Sequence, residues 1–384
     1  MFERFRGAGT VLAGSLALLL AACGGGGGGG GGNGGGSDPA KSCADQFTAD
    51  KAAADAGSCQ PNYHAQCDSL DLRLPINAMN PSDCTKGGAD GGVTYQNLTV
   101  GDTNYVLVTP PADASKGLTG GKKGLYIALH WRSGNGATMI NNMRLAELAK
   151  ARDITIAAPT SPHPVLGLGP VGLIRDWDYS GAADAISAVI NHAKAQAQLS
   201  SVPVVIAGVS SGAAGATRFF CERGNEARGL LLVASGTISS ESTSGCLSAA
   251  AASKAGVEAK AAVSSIPVVL VEGIDDPAYD TTVARYGQFK SINGCSAAAA
   301  ANQTVALNDQ VDIAFNTSCD DGAALVTVKD SGHNWPGMDR PIPSNPVTDS
   351  LSLLGTSTAM SIFGKVSFSF DATIQGYDLV RSLD

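Results

Sequence analysis

The chain predicts an α/β domain, a mostly parallel central sheet with helices packed on both faces. Three observations carry that prediction. Short aliphatic and β-branched runs recur along residues 124–329 with helix-length segments between them. Runs such as Gly124–His130 (GLYIALH), Gly229–Ala234 (GLLLVA) and Ile266–Val271 (IPVVLV) are continuously apolar, as strands buried on both faces must be. Finally, Pro203–Ala207 runs directly into Gly208-Val209-Ser210-Ser211-Gly212 and then Ala213-Ala214-Gly215-Ala216. That is a strand, a sharp turn and a helix in succession.

The elements follow in order. Val93–Val100 and Asn104–Thr109 are β-rich runs joined by Gly101-Asp102, which reads as a hairpin. Gly124–His130 is the first fully buried strand, Met139–Ala151 a helix, and Ile154–Ala158 a strand stopped by Pro159. Gly181–Gln198 is an Ala-rich amphipathic helix, Val202–Ala207 the strand into the turn, and Ala213–Cys221 the helix that leaves it. Strands at Gly229–Ala234 and Ile266–Val271, a helix at Tyr279–Ile292, a last strand at Ala324–Lys329 and a closing helix at Asp371–Leu383 complete the pattern. An antiparallel hairpin followed by five or six parallel strands fits the α/β-hydrolase plan. No internal repeat is visible.

The first residues do not read as fold. Arg4 and Arg6 precede the apolar run Val11–Ala22, too short to span a bilayer and suited to a signal-peptide core. It ends Leu20-Ala21-Ala22-Cys23, which resembles a bacterial lipobox with Cys23 as the lipidated residue. Gly24 to Gly36, interrupted only by Asn33, is a polyglycine tether that can bury nothing. The expected organisation is a signal peptide at 1–22, a lipidated cysteine and tether at 23–36, a Cys-rich extension at 37–92 and a catalytic domain at 93–384. The expected location is outside the cytoplasm, on a membrane through the lipid anchor (outer membrane or cell surface), with release from the cell as a variant.

Of nine cysteines, setting Cys23 aside leaves Cys43, Cys59, Cys67, Cys84, Cys221, Cys246, Cys295 and Cys319. An even number in an exported chain implies disulfides, and no C-x-x-C pair points to metal. Neighbours in sequence favour Cys221–Cys246 and Cys295–Cys319, with the first four pairing among themselves. The net charge of −8, without a basic block, excludes a nucleic-acid partner. About 290 residues after position 95 suffice for one full core.

A serine hydroxyl needs a base within hydrogen-bond reach, and the base needs a third group to hold its tautomer. In this plan the chain order is Ser, then Asp or Glu, then His. Ser210 is the candidate nucleophile. There are five histidines. His64 lies in the extension, His192 inside a helix, His163 in a Pro/Gly loop before the serine, and His130 at the end of a strand. His333, just after the last strand in Ser331-Gly332-His333-Asn334-Trp335-Pro336-Gly337, is left as the base. After Ile266–Val271 comes Glu272-Gly273-Ile274-Asp275-Asp276-Pro277, where either aspartate suits the acid and the other serves a turn or cap. An oxyanion hole needs two backbone N–H groups. Ser211 is one candidate, and Trp131 or Arg132, in the loop after His130, supplies the other. Trp335 and Trp177 are candidates for a substrate pocket, and Asp184 reads as a helix cap or packing residue. No metal or organic cofactor is called for.

These strings resemble those of the extracellular polyhydroxybutyrate depolymerase and feruloyl-esterase-like family. The resemblance rests on Gly208-Val209-Ser210-Ser211-Gly212, Gly273-x-x-Asp276 and the Ser331–Gly337 string, the most specific of the three, and spans roughly residues 124–384. It implies Ser210 as nucleophile, Asp276 rather than Asp275 as acid and His333 as base. Cys295 and Cys319 match the placement of a family cysteine pair, and Asp371-Ala372-Thr373 opening a helix is similar too. Two features depart from the family. Leu129-His130-Trp131-Arg132 stands where L-H-G-C is usual, and no polymer-binding domain follows. The resemblance implies a secreted serine esterase acting on a small or polymeric ester such as a polyhydroxyalkanoate. The alternatives are a hydrolase of oxidised polyvinyl alcohol, which cleaves a β-diketone, and a surface lipoprotein that keeps the fold only for binding.

Overall fold

Among the described residues ten strands form one sheet, and the chain order of its middle is what places the turn at Ser210. The computed structural model describes residues 93–132, 134–167, 173–235, 247, 264–337 and 369–383. The expected leader, Cys23, the tether, the Cys-rich extension with His64, and Cys246 lie outside the described residues.

The sheet strands are β1 (Thr94–Val100), β2 (Thr103–Thr109), β3 (Leu125–Leu129), β4 (Thr155–Pro159), β5 (Val204–Val209), β6 (Gly229–Val233), β7 (Val268–Gly273), β8 (Asn302–Asn308), β9 (Val311–Asn316) and β10 (Ala323–Val328). Across the sheet they run β1-β2-β4-β3-β5-β6-β7-β10-β9-β8. The six strands from β4 to β10 in that order are mutually parallel, and the hairpins β1–β2 and β8–β9 attach antiparallel at the two edges. The helices are α1 (Gly136–Asn142), α2 (Leu145–Arg152), α3 (Ala182–Gln196), α4 (Ser211–Arg223), α5 (Tyr279–Ile292) and α6 (Ile374–Ser382). This is the α/β-hydrolase fold.

Two-residue alternation divides the core into two layers. From β5, Val205, Ala207 and Val209 enter one cluster with Met139, Leu145 and Leu148 of α1–α2 and Tyr377 and Val380 of α6. Val204 and Ile206 enter the other, with Ile186 and Val189 of α3, Phe219 and Phe220 of α4, and Phe289 of α5. Burial on both sides explains why the central strands are continuously apolar.

Two differences from the expected elements have physical causes. The single helix expected over Met139–Ala151 is two, broken at Arg144, whose φ of 54° is left-handed. Met143 does not continue a regular ladder because its carbonyl accepts a hydrogen bond from Thr373 Oγ1 at 2.6 Å. The β8–β9 hairpin was not expected. Every residue of β8 except Leu307 is exposed, so it carries no buried face to give a period-two signal. Cys295 and Cys319 form a disulfide across the base of this hairpin segment. Cys221 is also disulfide-bonded, its expected partner Cys246 being outside the described residues. Among the described residues, no helix is long and apolar enough to cross a membrane.

Candidate active site

β5 ends at Val209 and α4 begins at Ser211, so Ser210 alone makes the turn. Its backbone sits at φ 55° and ψ −118°, a region that disfavours any residue with a β-carbon and stores about 1–3 kcal/mol of strain. The turn is held by the Ser210 N–H donating to the Val233 carbonyl at 3.0 Å, and by the Ser210 carbonyl accepting from Ala213 and Ala214 at 3.0 and 3.2 Å. The flanking glycines allow it. A β-carbon on Gly208 would stand 2.2 Å from the backbone of Gly212. The hydroxyl is thereby presented at the N-terminus of α4, where unpaired N–H groups and the helix dipole favour negative charge.

His333 and Asp276 come from the loops after β10 and β7, two neighbouring strands. His333 Nε2 lies 2.9 Å from Ser210 Oγ, and His333 Nδ1 lies 2.6 Å from Asp276 Oδ2. This arrangement requires Nδ1 to carry the hydrogen and Nε2 to accept from the serine. The two loops are tied together. The Asp275 N–H donates to the Ser331 carbonyl at 3.1 Å, and a β-carbon on Gly273 would meet that same oxygen at 2.1 Å. Of the two aspartates, Asp276 is buried against the imidazole while Asp275 is exposed and contributes its backbone. Asp276 Oδ1 also accepts from the Ala278 N–H at 2.8 Å. Burial works to raise the Asp276 carboxyl, but hydrogen bonds from His333 and Glu272 outweigh it and hold the group below its ordinary value.

The loop after β3 crosses the start of α4. A β-carbon on Gly212 would lie 2.2 Å from the Leu129 carbonyl oxygen and 2.7 Å from that of His130. His130 pins this loop. Its Nδ1 donates to the Trp131 carbonyl at 2.6 Å, and its Nε2 accepts from the Ser161 N–H at 3.0 Å. Burial pushes the His130 imidazole down to about 4, so it is neutral with a fixed tautomer. The Gly134 N–H also donates to the Trp131 carbonyl, at 2.9 Å. With the described peptides all trans, the N–H of Arg132 points to the other side of that peptide. The half-exposed Arg132 side chain donates from Nε to the buried Asp176 carboxylate at 2.6 Å.

The two tryptophans expected in a pocket wall are core residues instead. Trp177 is fully buried; its ring is 5.6 Å from that of His130, and its Cβ packs so close to Gly215 that a β-carbon there would lie 2.8 Å away. Trp335 is fully buried too, donating from Nε1 to Thr373 Oγ1 at 3.0 Å. A large flat side chain near the histidine signals burial as readily as recognition. The remaining described histidines stand elsewhere. His192 Nδ1 is 2.9 Å from the Tyr105 hydroxyl, and His163 stacks on Tyr179 with centroids 4.6 Å apart. Asp184 pairs with Arg223 on the surface of α3.

Sequence reasoning missed Glu272. It lies four residues before Asp276, is buried inside β7, and has one ligand-type atom within 4.8 Å of Asp276 and of His333. An acidic residue in an otherwise apolar parallel strand was the available signal. These three side chains are the grouping close enough to hold a cation among the described residues. Both His333 nitrogens are already engaged, by Asp276 and Ser210, so the donor set suits proton transfer rather than metal binding. Chemically, a hydroxyl, a base in reach of it and a buried acid behind the base can carry out nucleophilic acyl transfer.

No protein-family model matches the chain, and no curated protein matches it. Among solved structures, an acetyl xylan esterase from Aspergillus awamori is similar at 15% identity, covering 67% of this chain and 98% of that one with a TM-score of 0.49. Esterase PE8 is 18% identical over 62% of this chain and 93% of its own, with a TM-score of 0.38. A ferulic acid esterase is 13% identical over 52% and 85%, with a TM-score of 0.39.

Proposed function

We propose that the protein is a carboxylic ester hydrolase that works through a Ser210–His333–Asp276 triad and an acyl-enzyme. One observation carries the reading: the continuous hydrogen-bond chain from Ser210 Oγ through His333 to Asp276, at 2.9 and 2.6 Å, beginning on a strained turn at a helix N-terminus.

In this reading His333 Nε2 takes the hydroxyl proton as Ser210 Oγ attacks the ester carbonyl. Asp276 stabilises the imidazolium and stays ionised. The negative oxygen of the tetrahedral intermediate rests on the N–H of Ser211 and a second N–H from the loop after β3. Arg132 is the better second donor, because the Trp131 carbonyl is fastened to His130 and Gly134 on the opposite edge of the shared peptide. His333 then protonates the leaving alcohol, and water repeats the steps to release the acid.

The resemblance of the three sequence strings supports a polyhydroxyalkanoate-type polyester or its oligomers as the substrate class. The apolar leader ending at Cys23 and the polyglycine that follows support export and tethering to a membrane surface.

The test is labelling by a fluorophosphonate probe followed by a substrate panel. Labelling of the wild type that disappears in Ser210→Ala is expected, as is release of acid from hydroxybutyrate oligomers and p-nitrophenyl esters. Failure to label would overturn the hydrolase reading. Cleavage of a β-diketone in preference to both esters would replace the polyester with oxidised polyvinyl alcohol as substrate.

A further inference from the structure

Glu272 has no part in the acyl transfer just described, yet it is almost completely buried beside the acid of the triad. Its Oε2 is well supplied: the Ser235 N–H donates to it at 3.0 Å and Thr282 Oγ1 donates as well. Its Oε1 is buried with no N–H or O–H donor aimed at it. The group that does face this carboxyl is another carboxyl, Asp276, one oxygen of each lying within 4.8 Å of the other. Asp276 already accepts from His333 Nδ1 and from the Ala278 N–H. Two buried carboxyls this close strongly disfavour double ionisation, so one of them keeps a proton.

The surroundings decide which of them keeps it. Asp276 faces an imidazole and a backbone N–H, both of which favour its anion. Glu272 accepts from the Ser235 N–H and Thr282 Oγ1, which also favour an anion, but no imidazole donates to it and its burial is nearly complete. Among the described residues its cationic neighbour is Arg285 of α5, whose Nη1 is engaged by the Ser235 carbonyl. Among the described residues, the charged or titratable groups around Glu272 are therefore Asp276, His333 and Arg285. Burial, then the Asp276 charge, hold the Glu272 carboxyl well above the usual range.

We propose that Glu272 is a positioning residue, a neutral carboxylic acid whose Oε1 proton is donated to the Asp276 carboxylate. Asp276 is thereby gripped from three sides, by His333, Ala278 and Glu272, and its charge is shared between the imidazole and the acid behind it. During acyl transfer the proton stays on Glu272 and Asp276 stays an anion. The donor limits how strongly Asp276 draws His333 toward its protonated form. This inference rests on the triad reading above, so its test carries one readout that does not depend on turnover.

Wild type, Glu272→Gln and Glu272→Met are compared. Glutamine keeps a donor and an acceptor without a charge, whereas methionine keeps the volume without the donor. Infrared difference spectra of wild type against Glu272→Gln at neutral pH should show the C=O stretch of a protonated carboxyl in the wild type alone. On a p-nitrophenyl ester, Glu272→Gln should leave the acid limb of kcat/KM in place and lower kcat by about threefold, the loss expected from a weaker donor. Glu272→Met should move that limb to higher pH and lower kcat by about tenfold with KM changed by less than about twofold, as loss of one buried hydrogen bond predicts.

Absence of the carboxyl band overturns the inference. So does a shift of the limb to lower pH in Glu272→Gln, since that marks removal of a negative charge beside His333. Identical rates and limbs in the two variants, with only a lower Tm in Glu272→Met, would reduce Glu272 to packing and overturn it too. Loss of fluorophosphonate labelling in the wild type is a separate result that removes the hydrolase reading, while the infrared band still decides the state of Glu272.

Discussion

Gly212 lies directly beneath Leu129, with room for a hydrogen and nothing larger: a β-carbon on it would stand 2.2 Å from the Leu129 carbonyl oxygen. The obstacle is backbone at the end of β3, which cannot turn aside as a side chain can. Gly212→Ala must therefore push the loop carrying Trp131 and Arg132 away from α4. A loss of about 1–3 kcal/mol in urea unfolding is expected, as for other overpacked sites. Ester turnover should fall by at least about tenfold as an oxyanion donor is displaced. Wild-type rate in this variant would mean that the loop does not supply that donor.

Ser210 combines reactivity with backbone strain, and two substitutions separate them. Both Ser210→Ala and Ser210→Gly should abolish ester hydrolysis. Only glycine adopts φ 55° with ψ −118° without the clash of a β-carbon. Relief of about 1–3 kcal/mol of strain exceeds the entropic disadvantage of glycine in the unfolded chain, about 0.4–1 kcal/mol. Ser210→Gly should therefore unfold at a urea concentration at least as high as Ser210→Ala. A clearly lower midpoint would show that the turn is not strained.

His130 gives stability a pH dependence of predictable sign. Its folded value, about 4, lies below the 6.5 of a free imidazole, so the unfolded chain binds the extra proton first. The contribution is complete above pH 6.5 and is lost as pH falls toward 4, amounting to about 3 kcal/mol at the limit. His130→Asn keeps a donor for the Trp131 carbonyl but does not titrate. The stability difference between wild type and this variant, followed by denaturant unfolding from pH 7 to pH 4.5, should shift against the wild type. A constant difference would refute the assignment.

The Cys295–Cys319 disulfide closes a segment of 24 residues in sequence that contains the β8–β9 hairpin. Replacing both cysteines with alanine should cost about 3 kcal/mol of stability through the freed unfolded chain. Turnover at 25 °C should be unchanged, because neither cysteine touches Ser210, His333 or Asp276. Chemical denaturation alongside a p-nitrophenyl ester assay checks both halves.

The site was legible in the sequence where chemistry imposes order along the chain. Ser210 after a buried strand, Asp276 after a later one and His333 after the last are marked by glycines, and those glycines correspond to close backbone approaches at Gly208, Gly212 and Gly273. What stayed hidden was whatever depends on contacts between distant segments. Asp275 and Asp276 are adjacent and chemically equivalent, so the residues by themselves left the choice open; the resemblance favoured Asp276, and the direction of the turn after β7 is the physical reason. Trp177 and Trp335 looked like a pocket because their partners, Gly215 and Thr373, lie far from them along the chain. The break at Arg144 follows from Thr373 as well. Hairpin β8–β9 escaped because an exposed edge strand has no side to bury, although the alternation Val311-Ile313-Phe315 in β9 was there to be read.

Thr373 links three parts of the molecule that are remote in sequence. It accepts from Trp335, two residues past His333, and donates to Met143 at the break between α1 and α2. The histidine loop is thus braced by a segment 38 residues further along the chain. A change at the C-terminal segment is therefore felt in the histidine loop through Trp335, although His333 itself is held by Asp276.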